Sequence, residues 1–231
     1  MRVIIVGGGI GGVCTALALR QRGIDYTILE QAPALTEVGA GVQLSPNGVR
    51  VLRALGIGEQ LTSFCVEPAA HRFQDWKTGE LLLTLPLMPQ VRAAFGEPYY
   101  HAHRADLLAA LVAQLAGDRL QLGAKVLAVA QDAGGVTATL ADGRVERGDV
   151  LVGADGIHSL VREAMIAPDR PRFAGHSAWR GIVPVEQAAH LGVEKNAYVW
   201  LGPGRSVVVY YISGGRAINW IIIGESPGAD R

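Results

Sequence analysis

Four residues near the start of the chain have the types and spacing to hold a phosphorylated ligand. Gly7, Gly9 and Gly12 form a G-x-G-x-x-G run, and Glu30 stands eighteen residues beyond Gly12. Val3 to Val6 precede them as a short β-branched run, the pattern of a strand buried on both faces. Ala16, Leu17 and Leu19 follow with helical spacing, and Gly23 supplies a stop. Tyr26 to Leu29 reads as a second buried strand, ending at Glu30. In that setting Gly7 permits the tight turn out of the strand. Gly9 lets backbone approach a pyrophosphate with no Cβ in the way, and Gly12 lets helix and strand pack closely. The helix N-terminus offers free N–H groups and the positive end of its dipole. A carboxylate at Glu30 can take the hydroxyls of an adenosine ribose. The pattern points to dinucleotide binding. The alternative is a structural glycine turn with Glu30 as a solvated strand end.

The elements that position these groups must come from a chain of 231 residues, enough for one large domain or two small ones. Hydrophobic residues make up 49% and charged residues 18%, which excludes a disordered chain. Lys+Arg and Asp+Glu both number 21, with no basic block, so there is no electrostatic case for nucleic acid. No uninterrupted apolar run is long enough to span a membrane, and the N-terminus lacks the build of a signal peptide. Cys14 and Cys65 form no metal-like cluster and fit a reducing compartment, so a cytoplasmic protein is expected.

Further along, Gly39 to Asn47 is glycine-rich and is expected to break regular structure, bringing backbone close to something flat or bulky. A helix is expected over Asn47 to Leu55, capped by Ser45 or Asn47. Ala70 to Trp76 and Glu80 to Leu85 read as a hairpin turning at Lys77-Thr78-Gly79. His101 to Leu107 is expected to open a helix that runs through Leu115. Strands follow at 120–122, 125–132 and 135–140, with a turn at Ala141 to Arg144, and then Asp149 to Gly153 as another buried strand. That strand runs into Asp155-Gly156 and a helix start at Val161 and Arg162. Residues 198–201, 206–212 and 217–223 are β-rich and read as an antiparallel sheet.

Three motifs now stand in order: Gly7 to Gly12 with Glu30, His103-Arg104-Ala105-Asp106-Leu107, and Val152-Gly153-Ala154-Asp155-Gly156 through Arg162. Together they resemble the FAD-dependent aromatic hydroxylases of the p-hydroxybenzoate and salicylate hydroxylase type, across essentially the whole chain. Gly39 to Asn47 and Trp200 to Gly204 are similar to the salicylate and 3-hydroxybenzoate branch. The resemblance implies an α/β fold. A Rossmann-like FAD-binding layer (1–69 and 101–172) would carry an inserted antiparallel β-sheet substrate layer (70–100 and 173–231). It implies hydroxylation of a small aromatic compound with FAD, NADH or NADPH as transient co-substrate, and O₂, through a flavin hydroperoxide. A homodimer is an option. The alternatives are an N-heteroaromatic hydroxylase (urate- or nicotinate-like), a flavin epoxidase, or a non-catalytic FAD-binding module.

By the same resemblance Glu30 holds the adenosine ribose and backbone near Val126 lies by the adenine. Arg104 contacts FAD near its ribityl and phosphate portion, Asp155 supports the flavin linker, and Gly41 and Val42 lie close to the ring. The alternatives are a solvated helix-start charge for Arg104 and a helix cap for Asp155. Arg162 is expected to brace the Asp155 loop. His101, His103 and His158 match no zinc signature, so no metal is expected. The branch often carries a substrate-activating histidine where Val209 stands here, and Tyr211 is the candidate replacement. Family members also run further, to a Gly-Asp-Ala-Ala-His-like motif. This chain ends at Asp230-Arg231 before any such segment, so a fragment lacking the C-terminal part of the fold is expected.

Overall fold

The computed structural model describes residues 1–35, 40–115, 117, 119–168 and 171–226. Gly39 of the second glycine-rich stretch and the terminus at Gly228 to Arg231 lie outside the described residues. The chain divides into two units, Met1–Glu37 with Leu108–Pro171, and Val38–Leu107 with Arg172–Arg231. Residues 38–69 and 101–107, expected in the nucleotide layer, therefore group with the β layer.

The first unit is built on a parallel sheet of Val150–Gly153, Arg2–Val6, Asp25–Leu29 and Leu120–Gln121, in that order. The run from Val3 to Val6 is buried throughout, as a strand covered on both faces requires. The helix Ile10–Gln21 follows after a three-residue turn and buries Gly12, Val13, Ala16 and Leu17. Val150–Gly153 is one of its two edge strands, and Asp149 before it accepts the Arg2 backbone N–H at 2.6 Å. A second, antiparallel sheet of Val126–Asp132, Gly135–Leu140 and Val145–Gly148 packs on the first. Ile4, Val6, Leu29, Ala124, Ala138, Leu140 and Val161 form the shared core. The turn expected at Ala141 to Arg144 is present, with Gly143 at φ +87° and Asp142 accepting the Arg144 N–H.

The second unit holds a six-stranded sheet ordered His176–Pro184, Ala217–Glu225, Arg205–Ile212, Ala197–Gly202, Ala70–Asp75 and Leu81–Pro86. It is not wholly antiparallel, because Ala197–Gly202 runs parallel to Ala70–Asp75. Those two strands are far apart in sequence, so no hairpin forces them to oppose. The expected turn at Lys77 to Gly79 is held by Asp75, whose carboxylate accepts from the Lys77 and Thr78 N–H groups at 2.8 Å each.

Two local expectations change. His101 to His103 do not begin the helix. They belong to the strand Tyr100–His103, and the helix runs Arg104–Val112. Gly41–Leu44, expected to be irregular, is the antiparallel partner of that strand. Each segment is short, and the pairing between them supplies backbone hydrogen bonds that neither makes alone. No helix among the described residues is long and apolar enough to cross a membrane.

Ile4 sits fully buried at the centre of the parallel sheet. Ile4→Ala is expected to cost roughly 2–5 kcal/mol in a urea melt, through lost burial and a residual cavity. A loss within 0.5 kcal/mol would show that this strand is not the centre of the core.

Candidate functional site

The first unit contains a cleft of about 450 Å³ where the C-terminal ends of its parallel strands meet the start of the first helix. Gly7, Gly9, Glu30, Val126 and Asp155 all line it. The sequence spread these five over nearly 150 residues, and the sheet order collects them.

The glycines of the first turn are not equivalent. Gly7 has φ +108°, and a Cβ there would lie 2.3 Å from the Ala154 carbonyl oxygen. A Cβ at Gly12 would lie 1.9 Å from the Gly7 carbonyl oxygen, so only glycine lets the helix pack against the turn. A Cβ at Gly9 meets nothing within 4 Å. Gly9 caps the helix in extended conformation and carries no side-chain cap, and the first helical turn holds no acidic residue. Its free N–H groups and dipole therefore face the cleft with no resident carboxylate to occupy them.

Glu30 is held rather than solvated. Its carboxylate accepts the Gly8 N–H at 2.6 Å and the Ala32 N–H at 2.8 Å. A carboxylate has about four acceptor positions, so further donors can still be met. Gly8 is the variable position between the first two fingerprint glycines and was not singled out from the sequence. A Cβ there would lie 2.9 Å from that of Glu30, so its small size also seats the acid.

Asp155 has the capping role and also lines the cleft. One oxygen accepts the Ser159 hydroxyl at 2.5 Å and the other accepts the Val161 N–H at 3.2 Å. Ser159 is the N-cap of Leu160–Met165 and accepts from the Arg162 N–H. The Arg162 guanidinium donates to the Ile157 carbonyl at 2.8 Å, bracing the loop as expected. Lys125, Gln31 and His158 also line the cleft and were missed as cleft residues. Lys125 had a readable signal, because it directly precedes Val126, whose backbone the resemblance places by the adenine.

The second unit contains Gly41, Val42, Arg104 and Tyr211. A Cβ at Gly41 would lie 2.6 Å from the Tyr210 ring and hydroxyl and 2.9 Å from Asn219. The Gly41 N–H donates to the Asn219 side-chain oxygen at 2.8 Å. Val42 pairs with Ala102. Arg104 begins its helix exposed, with its backbone N–H donating to Ala40. Tyr211 is not beside Gly41. Its hydroxyl donates to the Val193 carbonyl at 2.6 Å, and its ring packs with Val66, Ala188 and Ile218. Val209 faces this same cluster, because residues two apart on a strand share a face.

The opposite face carries a buried aromatic and polar layer. His71, Ala197, Tyr210 and Asn219 stand opposite one another across four strands. His101 covers them, 4.4 Å from the Tyr210 ring and 6.2 Å from that of His71. Both ring nitrogens of His101, Nε2 of His71 and Nδ2 of Asn219 have no hydrogen-bond partner among the described residues. Burial, with His71 adding to it, pushes the His101 imidazole down to about 3. Burial lowers His71 too, and raises Tyr99 and Tyr210 to about 12. These side chains are neutral at ordinary pH.

A family model described as FAD binding domain matches residues 1–222. The 3-amino-4-hydroxybenzoate 2-monooxygenase of Streptomyces cremeus is 38% identical over 227 residues, covering 98% of this chain and 57% of that protein. The 3-hydroxybenzoate 6-hydroxylase 1 of Aquipseudomonas alcaligenes is 36% identical over 231 residues, covering 99% and 59%. Among solved structures, Klebsiella pneumoniae HpxO complexed with FAD and uric acid matches with a TM-score of 0.89 at 29% identity, covering 100% and 58%. The chain thus spans 57% to 59% of the length of these relatives.

The buried His101 makes stability depend on pH in one direction. Unfolded, an imidazole titrates near 6.5, whereas folded His101 stays neutral down to about 3. Between those values the unfolded chain binds more protons, so stability is full above the upper value and falls as pH drops through the window. The contribution lost at pH 4 is ~3 kcal/mol. His101→Phe, which keeps the ring contacts, is expected to flatten urea midpoints between pH 6.5 and 4 relative to the wild type. Parallel pH profiles for the two proteins would show that His101 is not buried neutral.

Proposed function

Because the chain belongs to the family of FAD-binding domains found in flavoprotein aromatic hydroxylases, we propose that the protein is an FAD-dependent monooxygenase that hydroxylates a small aromatic compound. NADH or NADPH and O₂ are its co-substrates in this reading. The observation that carries it is the cleft of the first unit. Its floor is an open Gly9 at a helix N-terminus, and its walls bring in Glu30, Val126 and Asp155.

The cleft fits the dinucleotide half of FAD on its own terms. An anionic pyrophosphate suits the N–H groups after Gly9, where a Cβ would intrude into the open space. Glu30, already oriented by Gly8 and Ala32, accepts from the ribose hydroxyls. Val126 offers an apolar edge to the adenine, with Lys125 beside it. Asp155 is fixed by Ser159 and Val161, so it can accept a hydrogen bond from a hydroxyl of the flavin linker without reorganising. When bound, FAD supplies the chemistry of taking a hydride from the nicotinamide and activating O₂.

For the second unit we propose the roles that the resemblance assigns to Gly41, Val42 and Arg104. Tyr210 replaces Tyr211 as the substrate-contacting phenol. Its ring stands at Gly41, and no described residue hydrogen-bonds its hydroxyl, whereas that of Tyr211 is donated to Val193. Tyr210 is neutral at ordinary pH, so it would orient a substrate oxygen as a hydrogen-bond donor. Val209 then carries no weight against a hydroxybenzoate substrate, since it faces the Tyr211 cluster. The likeness to HpxO, solved with uric acid, keeps an N-heteroaromatic substrate as the second reading. Both cysteines are free thiols, in keeping with the proposed cytoplasmic location.

Titration of the purified chain with FAD, followed by flavin fluorescence, tests the cleft. Gly9→Val is expected to weaken binding at least a hundredfold while costing only about 1 kcal/mol of stability in a urea melt, the penalty of an apolar residue at a helix N-cap, since a Cβ there meets no atom within 4 Å. Undiminished FAD affinity in that variant would remove the phosphate assignment. Bound flavin without aromatic-stimulated NAD(P)H oxidation would favour a non-catalytic FAD-binding module.

A further inference from the structure

We propose that the edge strand Leu81–Pro86 is an interface for a second copy of this chain, which adds its own Leu81–Pro86 antiparallel across a two-fold axis. Leu81–Pro86 is the last strand of the six-stranded sheet, with a partner strand on one side only. Its outer side presents a row of backbone N–H and C=O groups that a further strand can pair. Seven of the eight residues from Leu81 to Met88 are exposed. Leu81, Leu82, Leu83, Leu85 and Met88 are each 43% to 56% exposed. Single apolar side chains on a surface need no explanation, but five within eight residues form a patch.

The two edges of this sheet are guarded differently. The opposite edge strand, His176–Pro184, holds the exposed Arg180 near its middle, and a charge there discourages edge-to-edge pairing. No residue between Glu80 and Arg92 is charged. The features that blunt the Leu81–Pro86 edge sit at its ends. They are a register shift against Phe73 and Gln74, and Pro86, which cannot donate. Between them Leu83, Thr84 and Leu85 pair regularly with Phe73, Arg72 and His71. The hairpin is also preset, because Asp75 already holds its turn, so pairing orders little that is not ordered.

The size of the patch and the closure of the contact point to a copy of the chain. The exposed side chains and strand edge offer roughly 500 Å², so two copies bury about 1,000 Å², the lower bound of a specific interface and the range of a reversible one. A two-fold contact uses this edge once in each copy and closes, whereas pairing onto a different edge would grow into a filament. The sheet's other edge is the one that carries Arg180. An axis through Thr84 sets Leu83 of each copy opposite Leu85 of the other. The two leucines lie on one face, because they are two residues apart, and so form apolar cross-strand pairs.

Sedimentation velocity of the 231-residue chain, at loadings up to about 100 µM, tests the inference. The wild type is expected to shift with concentration toward about twice the 24.4 kDa chain mass and no further. Leu83→Lys with Leu85→Lys sets like charges opposite one another and is expected to stay monomeric with an unchanged circular dichroism spectrum. Leu83→Lys with Leu85→Glu sets opposite charges there and is expected to restore the dimer. Ile182→Lys, on the opposite edge strand, is expected to leave the dimer intact. A monomeric wild type would overturn the inference and leave the edge to another segment or another protein. So would a double-lysine variant that still dimerises, a lysine–glutamate variant that does not, equal loss on Ile182→Lys, or species that grow beyond the dimer.

Discussion

A single close approach of backbone to backbone governs the first unit. The Gly7 carbonyl oxygen occupies nearly the place where a Cβ of residue 12 would stand, 1.9 Å away. That contact draws the first helix down onto the first strand. It also aims the helix N-terminus into the cleft and sets Gly9 on its floor. A methyl at position 12 would have to push the helix off the strand, and the N–H groups of its first turn would move with it. The aim of the helix N-terminus and the packing of the core thus depend on the same missing atom. This is why the run is glycine at positions that differ in what they face. Gly12 faces protein, while Gly9 faces open space.

The second unit repeats the device with different partners. Gly41 has no Cβ because Tyr210 and Asn219 press against it, and its N–H is held by the Asn219 side chain. The short strand Gly41–Leu44 is fastened there to the large sheet, with His101 on the neighbouring strand laid over Tyr210. Four polar atoms left without described partners sit in this layer. Buried, unpaired polar groups are costly, and native proteins keep them where water or a ligand meets them. Their concentration beside Tyr210 agrees with a face built for contact with a polar aromatic compound rather than for stability alone.

How much was readable from the sequence follows the range of the interaction involved. The strand, turn and helix of the fingerprint were legible because glycine, β-branched runs and helical spacing act over a few residues. So was the hairpin at Lys77 to Gly79, where Asp75 closes the turn locally. The Tyr100–His103 strand was not legible, because the same residues run straight into a helix start at Arg104 and only pairing with Gly41–Leu44 makes them extended. The parallel pairing of Ala197–Gly202 with Ala70–Asp75 was equally hidden, since no local signal spans the sequence between them. The choice between Tyr210 and Tyr211 could not be made locally for a sharper reason. Adjacent strand residues point to opposite faces, so an error of one position exchanges a residue of the Gly41 layer for one bonded to Val193.

There remains the question of why two carboxylates should line a cleft proposed to take an anionic ligand. The chain as a whole offers no attraction, with 21 basic and 21 acidic residues. The local arrangement resolves it. Glu30 is turned toward the Gly8 and Ala32 N–H groups, and Asp155 toward the Ser159 hydroxyl and the Val161 N–H. Each acid is held by its own donors and cannot swing onto the helix N-terminus, where it would compete with a phosphate. The unpaired N–H groups after Gly9 are left for the anion, and the carboxylates keep spare acceptor positions for hydroxyls. Charge in the cleft is sorted by fixed hydrogen bonds rather than by net excess. Binding should then depend on these pinned orientations more than on the long-range field, which is screened beyond about 8 Å at physiological salt.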